Sequence, residues 1–195
     1  ENEKYSFKEM TKLEKINVLN NSKLCFDDCK KLRKIEYDPK ISNLDNLSFN
    51  NCPSLYSLKI LSSEQTFNQP MKYYLDKHKM ITKISFSKSI RTIGNDVFSN
   101  CENLTNIKMH SSIYRIENRS FYGCTNLREI TINECAQIQY DSFQNCPSIE
   151  HLIMNGNRDE IKILENFPNK VKVTLSTNWN YISRRSFENS SIYSI

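Results

Sequence analysis

Apolar residues recur along this chain at fixed spacings that no single helix or strand would produce. From Ile93 they run Ile93, Phe98, Cys101, Leu104, Ile107 and Met109, with mostly polar residues between. The same offsets return 23 residues later at Ile116, Phe121, Cys124, Leu127, Ile130 and Ile132, and after 22 more at Ile138, Phe143, Cys146, Ile149, Leu152 and Met154. Upstream, Leu44, Phe49, Cys52, Leu55, Leu58 and Ile60 fit in full, and Phe26, Cys29, Leu32, Ile35 and Tyr37 fit with Asn21 in the first apolar place. Looser copies follow Phe7, Met10, Leu13, Ile16 and Val18, with Met in the Cys slot, and Leu75, His78, Ile81, Ile84 and Phe86, with His there. Leu164, Phe167, Val173 and Leu175 make another, and Ile182 and Phe187 open an incomplete last one. First places fall at 2, 21, 44, 70, 93, 116, 138, 159 and 182. A period of this size marks a repeat architecture.

The spacing within a unit sets its local structure. Its last part, as in Ile107-Lys108-Met109, alternates apolar and polar residues with period two, which predicts a short half-buried strand. Its first part carries Phe and Cys three residues apart among polar neighbours, enough for one helical or 3₁₀ turn. So small a unit cannot enclose its own apolar residues. Neighbours must stack, which aligns the strands into a parallel sheet and the Phe rings into a column. The expectation is a single solenoid domain over 1–195, about eight repeats plus a partial last one. It is irregular near 61–86, where the segment 61–70 overruns the period and Tyr73-Tyr74 replaces small residues; Phe67 falls outside the register.

These residues resemble the BspA-like (Treponema pallidum-type) leucine-rich repeats, whose unit reads approximately I-x-x-I-x-x-x-A-F-x-x-C-x-x-L-x-x-I-x-L. The segment 90–104 is the closest copy, and Ile113 through Leu127 follows it almost position for position. The resemblance implies an α/β repeat, a leucine-rich-repeat solenoid with a parallel β-sheet on the concave face and short helical or 3₁₀ turns on the convex face. It also implies a cell-surface or secreted protein, part of an adhesin that binds host or partner proteins. Leucine-rich repeats serve equally as intracellular scaffolds or adaptors, so a cytoplasmic location stays open.

Composition narrows the chemistry. Gly is scarce at three residues, against 24 Asn and 23 Ser, so turns must rest on Asn and Ser. Gly-rich nucleotide loops are thereby disfavoured. The net charge of +5 comes from singly scattered Lys, a weak invitation to acidic partners and not a nucleic-acid footprint. No window approaches a membrane span, and the start lacks both Met and an apolar signal segment, which reads as a fragment or processed product without membrane insertion.

Five of seven Cys (Cys29, Cys52, Cys101, Cys124, Cys146) stand in register and are expected as small buried core residues. Cys25 and Cys135 stand outside it and are the candidates for reactive surface thiols. No zinc spacing, nucleophile elbow, P-loop or dinucleotide fingerprint occurs, so neither catalysis, metal nor cofactor is expected. Trp179, three residues before Ile182, is expected in the core rather than as an exposed anchor. The five Asn-x-Ser/Thr sites are what this composition yields by chance.

The remaining candidate is the outward face of the sheet. Across the copies it reads Lys15 and Asn17, Lys34 and Glu36, Ser57 and Lys59, Lys83 and Ser85, Asn106 and Lys108, Glu129 and Thr131, His151 and Ile153, Lys172 and Thr174. At about 4.8 Å per strand this is a ladder of spaced positive charge, fit for an acidic or extended polypeptide. Lys34, Glu36, Lys59, Lys83, Lys108, His110, Glu129 and His151 are its candidate contacts, with His110 also expected to look outward. The competing reading is a solvated face whose charges only keep the solenoid soluble.

Overall fold

A computed structural model describes residues 5–38, 40, 44–133, 137–139, 141–155, 171–175 and 192–194. In chain order the strands are β1 (Tyr5–Ser6), β2 (Lys15–Val18), β3 (Leu24–Cys25), β4 (Lys34–Tyr37), β5 (Leu47–Ser48), β6 (Ser57–Ile60), β7 (Thr66–Phe67), β8 (Lys83–Phe86) and β9 (Thr92–Ile93). They continue as β10 (Asn106–Lys108), β11 (Arg115–Ile116), β12 (Glu129–Asn133), β13 (Gln137–Ile138), β14 (His151–Asn155), β15 (Val171–Leu175) and β16 (Ile192–Ser194). Alternate longer strands form one nine-stranded parallel sheet, in the order β16-β15-β14-β12-β10-β8-β6-β4-β2. The chain is the expected leucine-rich-repeat solenoid.

The period-two pattern decides which side of that sheet is buried. Ile16, Ile35, Leu58, Ile84, Ile107, Ile130, Leu152 and Val173 are paired rung to rung and all point into the core. Behind them, on the turn side, the register Phe residues stack: Phe7 on Phe26 at 5.2 Å, Phe26 on Phe49 at 5.7 Å, Phe98 on Phe121 at 5.2 Å and Phe121 on Phe143 at 5.1 Å. The turn side itself is more economical than the sequence predicts. Among the described residues, only Leu44–Asn46 forms a 3₁₀ turn and only Lys72–Lys77 an α-helix, α1. Elsewhere the chain reverses through a residue with positive φ just before the Cys slot: Glu9, Asp28, Asn51, Asn100, Gly123 and Asn145. Asn, Asp and Gly tolerate that region best, which gives the Asn-rich composition a structural reason.

Two short ladders close the back of the solenoid. Strands β1-β3-β5 form one and β13-β11-β9-β7 the other. They use different positions of the repeat. In the second ladder the pairing runs through Phe67, Ile93, Ile116 and Ile138. Phe67 is therefore the first apolar residue of the irregular repeat, in place of Pro70, and its burial corrects the expectation that it lies outside the register. Three extra residues then fall between Phe67 and Leu75, the residue in the Phe slot, and α1 takes them up. In the first ladder Leu24 and Leu47, two residues before the ring, do the pairing, which is why Asn21 is tolerated in the first apolar place.

The inserted turn interrupts the aromatic column and is patched locally. His78 is buried and meets Phe49 edge-on at 5.6 Å, with no hydrogen-bond partner for its Nε2 among the described residues. Phe67 and Phe86 together restart the column against Phe98, at 6.2 and 5.9 Å. The Tyr37 hydroxyl donates to Gln69 Oε1 at 2.8 Å, tying the insertion to the earlier rung. Gly94 leaves room on the following rung for the Asn68 side chain, which a β-carbon there would displace.

Phe121 is buried between two stacked rings, and Phe67 is buried against the touching rings of Phe86 and Phe98. Phe67→Ala and Phe121→Ala are each expected to lower unfolding stability by about 3–5 kcal/mol, read from denaturant melts. A loss at Phe67 below about 1 kcal/mol would place it outside the aromatic column.

Candidate functional site

The outward rows of the large sheet are in register over eight strands. Lys15, Lys34, Ser57, Lys83, Asn106, Glu129, His151 and Lys172 form one row, and Asn17, Glu36, Lys59, Ser85, Lys108, Thr131, Ile153 and Thr174 the other. Strand pairing thus brings together Lys34, Glu36, Lys59, Lys83, Lys108, Glu129 and His151. His110 stands apart. It follows β10, its Nδ1 accepts from the Ser112 N–H at 3.1 Å, and its Nε2 is hydrogen-bonded to the Ser87 carbonyl, so the ring clamps a loop instead of standing free on the face.

The charge on this face is not evenly spaced. Glu36, expected as an exposed contact, is buried, its side chain 8% exposed beneath a clasp of three lysines. Lys15, Lys34 and Lys59 place their ammonium nitrogens 2.9, 3.3 and 3.5 Å from Glu36 Oε1. Burial alone would raise the Glu36 carboxyl, but hydrogen bonds from Lys15 and Lys34 and the charge of Lys59 outweigh it and hold the group below the ordinary glutamate value. The physical reason is cross-strand geometry: Lys59 is directly opposite Glu36, while Lys15 and Lys34 reach it from neighbouring positions. Lys83 lies over the half-exposed Tyr56 ring, 5.4 Å from its centroid. Lys83 and Lys108 make no ion pair among the described residues.

Beyond Lys108 the face changes character. Asn106 Nδ2 donates to Glu129 Oε1 at 2.6 Å, Glu129 Oε2 lies 3.7 Å from His151 Nδ1, and His151 Nε2 contacts Thr174 Oγ1 at 2.7 Å. This polar chain crosses four adjacent strands and absorbs its own hydrogen-bonding capacity. Between the Glu36 clasp and this chain stand Lys83 on β8 and Lys108 on β10, which make no ion pair among the described residues.

The cysteines occupy a different column and have a role the spacing did not reveal. Each of four register thiols donates to the carbonyl of the Phe one rung earlier: Cys29 to Phe7 at 3.2 Å, Cys52 to Phe26 at 3.1 Å, Cys124 to Phe98 at 3.1 Å and Cys146 to Phe121 at 3.0 Å. Cys101 follows His78's rung and finds only Ser99 oxygen, at 3.9 Å. Burial pushes the Cys101 thiol up to about 12 and raises Cys52 as well. Cys25 corrects the expectation of a reactive thiol: it is fully buried. It immediately precedes Phe26, as Ser48, Val97, Ser120 and Ser142 precede their rings, and that slot admits only a small side chain. Cys135 and Trp179 lie outside the described residues. Among the described residues, no three His, Cys, Asp or Glu are grouped to hold a metal ion.

With this geometry in hand, the family described as a BspA type leucine rich repeat region matches residues 2–127 and 91–195, in six copies. No curated protein matches the sequence. Solved structures do. A leucine-rich repeat protein from Bacteroides ovatus ATCC 8483 is 20% identical over 93% of this chain and 48% of its own, with a TM-score of 0.43. The T. pallidum leucine rich repeat protein is 16% identical over 91% of this chain and 82% of its own, with a TM-score of 0.47. A leucine rich cell surface protein from Faecalibacterium prausnitzii A2-165 is 12% identical over 91% and 68%, with a TM-score of 0.32. The chain thus spans about half the length of the Bacteroides ovatus protein.

Two measurements test the side-chain assignments. Native protein treated with a thiol reagent should leave Cys25, Cys52, Cys101 and Cys124 unlabelled until denaturation, as read by mass spectrometry; rapid native labelling of Cys25 would contradict its enclosure. Glu36→Gln should lower stability by about 1–2 kcal/mol at neutral pH, where the carboxylate is ionised under its lysines. Because the folded carboxyl lies below its ordinary value of 4.5, that contribution is complete above about pH 4.5. It is lost as pH falls through the folded value, so parent and variant should converge in acid.

Proposed function

This chain belongs to the BspA-type leucine-rich repeat family, whose repeats are generally protein-interaction modules, and we propose that it is a non-enzymatic protein-binding segment of a surface or secreted adhesin. Its contact surface is the outward face of the large sheet, and its partner is an acidic, extended stretch of a host or partner protein. The observation that carries this reading is the pair of in-register rows. They hold Lys83 and Lys108, which make no ion pair among the described residues, next to Lys34 and Lys59, whose ends are already held in place by Glu36. Preorganised cations lose less freedom on binding than free ones. An extended chain laid across the strands meets a cation at successive rungs, about 4.8 Å apart.

No helix among the described residues is long and apolar enough to cross a membrane. A surface location therefore rests on the family alone. Antibody labelling of intact cells tests it, and a signal confined to permeabilised cells would move the protein to an intracellular scaffold.

The clasp dictates which lysines can be replaced. Removing Lys34 and Lys59 together would strip Glu36 of two of its three partners and confuse folding with binding. Lys83→Ser with Lys108→Ser avoids this. The double variant should keep the parent melting temperature and bind poly-L-aspartate about two- to thirtyfold more weakly at low salt, since exposed ion pairs contribute about 0.2–1 kcal/mol each. Parent binding should itself fade as the screening length falls from about 10 Å at 0.1 M to about 3 Å at 1 M salt. Equal, salt-insensitive binding by parent and variant would remove the face from consideration.

A further inference from the structure

Glu36 on β4 and Ser85 on β8 occupy the same place in their repeats, and their surroundings correspond. Each follows a lysine two residues earlier on its own strand, Lys34 or Lys83, and each lies directly opposite Lys59, which stands on β6 between them. On its other side Ser85 has Lys108 directly opposite, where Glu36 has Asn17 and takes its third lysine, Lys15, from the diagonal position. Around Glu36 this arrangement brings three ammonium groups to within 3.5 Å of one carboxylate oxygen. Around Ser85 it sets Lys59, Lys83 and Lys108 about a half-exposed hydroxyl that carries no charge.

The spacing allows the three to converge. Adjacent strands are about 4.8 Å apart and alternate residues of one strand about 6.6 Å apart, within reach of a lysine side chain from each position. Lys83 rests over the Tyr56 ring, a weak exposed contact from which an anion at Ser85 can draw it. Lys59 is partly neutralised by Glu36, whereas Lys83 and Lys108 make no ion pair among the described residues. Two uncompensated positive charges beside a hydroxyl donor suit a phosphate monoester, which carries about −1.5 to −2 charge at neutral pH and three strong acceptor oxygens. A carboxylate offers one charge and two oxygens.

We propose that Lys59, Lys83, Lys108 and the Ser85 hydroxyl form a binding site for a phosphomonoester dianion, carried by a phosphorylated side chain of an extended partner polypeptide. The site rests on the acidic-partner reading and names the residue by which that partner is anchored. The phosphate oxygens accept from Lys83, Lys108 and Ser85 Oγ, and Lys59 is shared with Glu36. Charge then alternates along one row of the sheet as Glu36, Lys59, phosphate and Lys108.

Calorimetric titration of the full chain at low salt tests the site, with an alanine-rich peptide bearing one central phosphoserine and the same peptide bearing aspartate or serine there. The phosphoserine peptide should bind about tenfold or more tightly than the aspartate peptide, the serine peptide should not bind, and inorganic phosphate should compete only weakly. Ser85→Glu, which supplies a resident carboxylate, should weaken the phosphoserine peptide by about tenfold or more while keeping the parent melting temperature. The introduced carboxyl, followed by carbon-13 NMR without any ligand, should titrate below the ordinary glutamate value, as Glu36 does. Ser85→Ala removes only the hydroxyl and should weaken the phosphoserine peptide about two- to tenfold, a readout that does not depend on the glutamate being tolerated. Inorganic phosphate bound as tightly as the phosphoserine peptide, an introduced carboxyl that titrates at or above the ordinary value, or undiminished binding by either Ser85 variant would each overturn the proposal. Equal affinity for the phosphoserine and aspartate peptides would overturn it too; if poly-L-aspartate binding then still depends on Lys83 and Lys108, the broader acidic-partner reading stands without this site.

Discussion

Everything in this molecule depends on the parallel, in-register stacking of one rung on the next. A single repeat has an apolar strand face and an apolar ring but no second layer of its own to cover them; only the neighbouring rungs do so. Register is consequently strict. A slip of one residue would turn Ile107 and Ile130 to solvent and bring Asn106 or Lys108 into the core. The ring column at Phe98, Phe121 and Phe143 and the thiol bonds behind it lock the same register from the turn side. In four rungs a thiol to carbonyl bond, from Cys29, Cys52, Cys124 and Cys146, adds to the sheet pairing and the stacked rings.

The irregular repeat shows how such an array tolerates an insertion. The strand side cannot absorb extra residues without losing pairing, and β6, β8 and β10 pair without a break. The turn side can, and it does so with α1. The disturbance appears in the ring column: His78 ends one stack, Phe67 and Phe86 begin the next, and Cys101 loses the carbonyl that its equivalents use. His78 is kept buried with its Nε2 unpartnered among the described residues, and burial together with the nearby Lys77 pushes its basicity down.

On the outward face the same stacking concentrates charge. Lysines that are far apart along the chain converge on Glu36 because parallel pairing puts Asn17, Glu36 and Lys59 side by side. One buried carboxylate then orders three cations and leaves the next two, Lys83 and Lys108, without an ion pair among the described residues. A face that reads as a uniform ladder is in fact a locked basic cluster, a free basic stretch and a neutralised polar chain through Glu129 and His151.

The repeat, the strand positions, the inward residues and the burial of the register cysteines were determined by the sequence alone, because period-two alternation and a fixed repeat length leave one arrangement that buries the apolar set. Cys25 was legible too, had its place before Phe26 been compared with Ser48, Ser120 and Ser142. Other features belonged to tertiary structure. That Phe67 and not Pro70 opens the irregular repeat depends on β7 pairing with β9, a contact between residues 26 apart whose local spacing is broken by the insertion. The acceptor of each cysteine thiol is a backbone carbonyl, which carries no residue identity and cannot be seen in a list of side chains. Glu36 has the composition of an exposed contact, and only the convergence of three strands, each delivering one lysine within 3.5 Å, makes it a buried anion.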